Sequence, residues 1–79
     1  MAVATNGTVV RCTVDTSVSP PLYGARVHYD TPPPSGHDEV YTNLASDHYI
    51  NLLRALGTVL KVDVTTDAAN NVTGTAVHA

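Results

Sequence analysis

Tryptophan and phenylalanine are both absent from this 79-residue sequence, so a core has to be built from Val, Leu, Ile, Ala and four tyrosines. A chain of this size buries only roughly 60% of its unfolded surface. Contact with a partner, or with a second copy, would add the apolar burial that a thin core lacks, and binding to the folded state stabilises it. The single cysteine, Cys12, excludes an intrachain disulfide and a multi-cysteine zinc centre. Cys12 reads as a small buried hydrophobe on a strand. A reactive thiol needs an electropositive setting, and Arg11, its neighbour in sequence, points to the other face of an extended chain.

Positive charge is scarce as well. Four Lys and Arg stand against seven Asp and Glu, a formal net charge of −3. That disfavours broad nucleic-acid binding, which depends on neutralising phosphates. No apolar run approaches the length of a membrane span. The opening MAVATNGTVV lacks the charged and apolar regions of a secretory signal. The expectation is a cytoplasmic chain, or one assembled from the cytoplasm into a larger particle. Residues 1–79 are enough for one domain and not two.

What is present is one clear helical signature, residues 46–57, SDHYINLLRALG. Tyr49, Leu52, Leu53 and Leu56 follow the i, i+3, i+4, i+7 spacing that puts apolar side chains in one stripe. Ser46 suits the N-cap, Asp47 and Arg54 complement the helix dipole, and Gly57 suits the left-handed position after the last turn. A helix this short is marginal alone and must pack on something.

The surface it packs on is legible as strands. Residues 8–15 alternate, with Val10, Cys12 and Val14 on one side and Val9, Arg11, Thr13 and Asp15 on the other. Residues 25–30 alternate again, with Ala25, Val27 and Tyr29 opposed to Arg26, His28 and Asp30. Residues 58–66 form the most regular strand, through Leu60, Val62 and Val64. Residues 72–78 return as a weaker strand after the turn formers at 67–71. Residues 1–7 are expected to be frayed. Residues 31–42 are expected to be a Pro-rich connection, stiffened by Pro32, Pro33 and Pro34 in extended geometry.

The expected fold is therefore α+β: a two-layer sandwich of order β-β-α-β-β, with a mainly antiparallel four-stranded sheet and one helix on one face. If the helix covers Val10, Val14, Val27, Leu60 and Val62, alternation leaves Arg11, Thr13, Arg26, His28, Lys61, Asp63, Thr65 and Thr73 on the open face. That face reads as a solvated surface with cross-strand charge pairs, or as a polar docking surface.

No constellation points to catalysis or to a cofactor. His37, Asp38 and Glu39 are consecutive and cannot easily converge on one metal ion. Ser46, Asp47 and His48 have the residue types of a nucleophilic triad, but consecutive helical residues diverge. A Gly-rich phosphate loop is absent, and a deep pocket is hard to build in so small a subunit. A site shared between subunits and using His28 or His37 is the remaining enzymatic option. The two Asn-X-Ser/Thr sequons, at Asn6 and Asn71, carry little weight without a secretory signal.

The resulting expectation is a non-enzymatic protein–protein interaction module. It would be a small accessory protein acting as an assembly subunit or as an inhibitor or adaptor, with another protein or copies of itself as partner. No cofactor and no membrane are implied, and a homo-oligomer is compatible. Its compositional style is shared by many small accessory proteins, virus- and phage-encoded ones among them. Candidate contact residues are Arg11, Arg26, His28 and Lys61 on the open face, Pro33 in the proline loop, and Tyr23 and Tyr41, since arginine and tyrosine are enriched at interface hot spots. The alternative is a nucleic-acid-binding regulator using the same basic residues. Against it, only His28 on that face offers a ring for base stacking.

Overall fold

The alternation that starts at residue 8 extends back to Ala2. In the structure, a computed structural model that describes residues 2–79, strand β1 runs over Ala2–Asp15. Residues 2–7 are therefore a paired strand and not a frayed end. Strands β2 (Leu22–Tyr29) and β3 (His37–Tyr41) follow, then helix α1 (Ser46–Ala55), then β4 (Lys61–Thr66) and β5 (Val72–His78). The class is α+β, with one helix and an antiparallel sheet of five strands in the order β3-β2-β1-β4-β5.

The fifth strand, β3, occupies the second half of the expected connection. Its sequence, HDEVY, has the charge of a loop but the geometry of an edge strand, paired with β2 from Ala25↔Tyr41 to Tyr29↔His37. The prolines do not project as an extended spacer. They form the turn of a β2–β3 hairpin, closed by a 2.9 Å bond from the Gly36 N–H to the Pro32 carbonyl. Gly36 sits there at φ 70°, in the left-handed region that suits glycine.

β1 serves two partners in succession. Its first half pairs with β4, from Ala2↔Thr66 to Gly7↔Val62, and its second half pairs with β2, from Thr8↔His28 to Asp15↔Leu22. Each ladder contains a register shift, between Ala4 and Gly7 against β4 and between Val9 and Arg11 against β2. At the first, Asn6 adopts φ 58° and donates its N–H to the Asp63 carboxylate at 3.0 Å. At the second, Val10 is the extra residue. A bulge adds one residue without a partner and reverses which side chains face inward beyond it. Val9 is consequently buried and Val10 exposed, the reverse of the alternation read from sequence.

The core lies between α1 and the inner sheet face. Val9, Ala25, Val27, Tyr29, Tyr41, Val62 and Val64 come from the sheet, with Leu44, Leu52 and Ala55 from the helical layer. Cys12 is only half-buried but packs against this cluster. Val14 lies near the end of β1, opposite Tyr23, and is exposed, so it is not a core residue.

The helix is rotated from the expected stripe. Leu52 and Ala55 are its buried residues, while Leu53 and Leu56 are 44% and 37% exposed. The rotation follows from what lies beneath. Asn51 Nδ2 donates to Thr75 Oγ1 at 3.0 Å, and the His48 Nδ1 lies 3.3 Å from the same hydroxyl, drawing the 48–51–55 side down onto β5. On the other flank the Tyr49 ring packs against Tyr23 at 4.7 Å between centroids. Ser46 is the first helical residue and not the cap. Ala45 holds the N-cap position, with no side-chain bond. Gly57 does take the left-handed conformation, at φ 74°.

Candidate protein-interaction surface

Alternation along β1, β2 and β4 sends Arg11, Arg26, His28 and Lys61 to the face away from the helix. Pairing sorts them into two rows. In one row, β2 and β3 set His28 opposite Asp38, and the His28 Nδ1 meets the Asp38 carboxylate at 2.6 Å. Asp30 approaches the other ring nitrogen at 3.4 Å. Thr8 follows on β1, and its hydroxyl accepts a 2.8 Å bond from the Lys61 Nζ. On β5 the row ends at His78, opposite Lys61 in register and 3.0 Å from the Asp63 carboxylate. Every charged group in this row has a protein partner.

The adjacent row has none. Arg11 stands directly opposite Arg26 across the β1–β2 ladder, and Val40 opposite Arg26 across β2–β3. Both arginines are exposed, and Val40 is 55% exposed. Among the described residues, no carboxylate lies within 4.0 Å of Arg11, Arg26 or Lys61; all ion pairs there are made by histidines. The cross-strand charge pairs expected for Arg26 and Lys61 are therefore absent. Side chains directly opposite on antiparallel strands have Cβ atoms about 4.5–5.5 Å apart, where like charges destabilise the pair. Thr13 and Gly24 border the two arginines, and together they line a shallow depression of about 130 Å³. On its far side the second half of β1 has no β4 pairing, so this row ends at an open strand edge.

The remaining candidates divide. Pro33 is exposed at the β2–β3 turn, away from the arginine row. Tyr23 is half-buried, with its ring committed to Tyr49 and its edge lining a wider depression of about 490 Å³ with Val14, Leu22 and Thr42. Tyr41 is not an exposed contact residue: it is 6% exposed and its hydroxyl meets that of Tyr29 at 2.7 Å. Burial pushes the Tyr41 phenol up from its ordinary value. Val40 was not singled out in the sequence because its strand was hidden in the apparent loop.

The histidines do not converge. His28 points to the outer face. His37, opposite Tyr29 in register, stacks on the Tyr29 ring and is held by the Thr31 carbonyl and Glu39. Among the described residues, no group of three metal-ligating side chains comes together. Nor is any helix there long and apolar enough to cross a membrane. Burial raises the pKa of the Cys12 thiol above its ordinary value, which favours the protonated form.

Comparison with known proteins finds no matching family model, and neither a curated protein nor a solved structure gives a significant match.

Proposed function

We propose that the chain is a non-enzymatic protein-binding module, an assembly subunit or an inhibitor or adaptor, that docks an acidic segment of its partner on the outer sheet face. The observation that carries this reading is the Arg11–Arg26 pair, two cations in register with no carboxylate beside them among the described residues. A partner Asp or Glu would relieve that repulsion and gain charge-assisted hydrogen bonds from both guanidinium groups. Val40 supplies an apolar neighbour for the same segment. Lys61 and His28, tied to Thr8 and to Asp38, shape the border of the surface.

The nucleic-acid alternative has less support. All four tyrosines lie off this face, and the one ring left for base stacking, His28, is flanked by the carboxylates of Asp30 and Asp38, which repel phosphate. The test is an amide-resolved NMR titration with hexaglutamate, and in parallel with a single-stranded oligonucleotide. The reading expects saturable shifts at Arg11, Thr13, Arg26 and Val40 with hexaglutamate. A response to the oligonucleotide alone would replace it with the nucleic-acid reading.

A further inference from the structure

At the far edge of the sheet, the outer side of β5 is unpaired among the described residues, and the one safeguard on the strand is a bulge at Thr73, near its start. Folded proteins protect such edges with charge, proline or a covering element, because exposed backbone groups recruit another strand. The other edge, β3, is protected in this way: its sequence HDEVY would bring Asp38 and Glu39 of two copies together. In β5, residues 72–77 contain no ionisable side chain and no proline. Gly74 and Ala76 are small, and Asp63 and Thr65 opposite them belong to β4, so nothing on the strand itself obstructs approach from the edge.

We infer that β5 pairs antiparallel with β5 of a second copy, about a two-fold axis at Thr75, to give a continuous ten-stranded sheet. Thr75 lies within the regularly paired part of the strand, Gly74–His78, and is the residue on which the helix rests. Gly74 would then face Ala76 of the copy, and the bulged Thr73 marks the margin of the new ladder. The inference goes beyond the proposed function, since Arg11 and Arg26 lie two and three strands away and stay open on both copies.

The occupant is argued from charge. α1 sits over Thr75 through Asn51 and His48. A two-fold axis perpendicular to the sheet sets the two helices side by side and antiparallel. Asp47 and Arg54 flank Asn51 toward the two ends of the helix, both exposed, and Arg54 Nη1 leans to Asn51 Oδ1 at 3.4 Å. Antiparallel helices therefore set Asp47 of each copy against Arg54 of the other. The surface is complementary to itself, as a two-fold interface requires. Strand addition supplies the backbone bonds and the charges fix the register.

The test is light scattering on a size-exclusion column over a concentration series. The wild-type mass should move from one chain toward two, and amides of residues 72–78 should gain hydrogen-exchange protection with it. Asp47→Arg alone and Arg54→Asp alone should each weaken association by about tenfold, since each replaces two symmetric attractions with two repulsions. Mixing the two single variants one to one restores both pairs, and should return the dimer to near wild-type strength. Both changes lie on exposed helix positions, so circular dichroism should report an intact fold. Arg11→Glu with Arg26→Glu should leave the dimer unchanged, which separates this inference from the acidic-partner reading. A wild type that stays monomeric throughout, or variants that associate no better mixed than alone, would overturn it.

Discussion

The hydroxyls of Tyr29 and Tyr41 meet at 2.7 Å inside the core, joining β2 to β3 through their side chains. In a sequence without Phe or Trp, these two rings supply much of the bulk beneath the sheet, and each brings a polar atom that must be satisfied. They satisfy one another. Tyr41→Phe keeps the ring but orphans the Tyr29 hydroxyl, and should lower stability by about 1–3 kcal/mol in urea unfolding. A loss within error would show that water reaches the Tyr29 hydroxyl.

The same pair predicts alkaline behaviour. Burial, and then the neighbouring hydroxyl, raise the Tyr29 phenol above its ordinary value, and burial raises Tyr41. A raised folded pKa means the stabilising contribution is complete below about pH 10 and fades above it. Phenolate absorbance from these two residues should appear only together with loss of near-ultraviolet dichroism.

Gly7 allows β1 to pass under the core. A Cβ there would lie 2.7 Å from the Tyr29 ring and would also strike Val27. Gly7→Ala should destabilise by about 1–3 kcal/mol through overpacking, read as a lower thermal midpoint.

Asp63 caps the first bulge and also holds His78. The Asn6 N–H, then the His78 ring, lower its carboxyl below the ordinary range. The Ala79 carbonyl, then Asp63, raise His78. The depressed carboxyl contributes stability that is present above about pH 4 and lost as pH falls through its folded value. The raised imidazole contributes below about pH 6.5 and is lost as pH rises through its folded value. Their joint contribution is therefore greatest between roughly pH 4 and 6.5. His78→Ala should flatten the upper side of the stability–pH profile, and Asp63→Asn should flatten the lower side and reduce the upper one only in part, since the Ala79 carbonyl still holds His78.

The rotation of α1 is tested by neighbouring leucines. Leu52 is fully buried, so Leu52→Ala should cost about 2–5 kcal/mol. Leu53→Ala, at a position 44% exposed, should cost less than about 1 kcal/mol. Equal losses would restore the stripe suggested by periodicity.

The helix was legible because its stripe, charges and Gly57 agree, but its rotation depends on Thr75, a residue 24 positions from Asn51. The outward placement of Arg11, Arg26, His28 and Lys61 was legible from alternation. The exchange of Val9 for Val10 was not, because a bulge leaves no mark in a run of two valines. β3 was hidden by polarity: an edge strand needs few apolar residues, and the three prolines before it suggested a spacer. Most of all, alternation places two arginines on one face, but only register sets Arg11 opposite Arg26 and strips both of a partner.

The most direct test of the central claim is the hexaglutamate titration of wild type against Arg11→Gln, Arg26→Gln and the double variant. Wild type should show saturable amide shifts centred on Arg11, Arg26 and Val40. Each single variant should weaken binding by about tenfold or more, as loss of a charge-assisted bond implies, and the double variant should abolish it. Shifts of equal size in wild type and the double variant, or shifts centred on the proline turn, would contradict the assignment of this face as the docking surface.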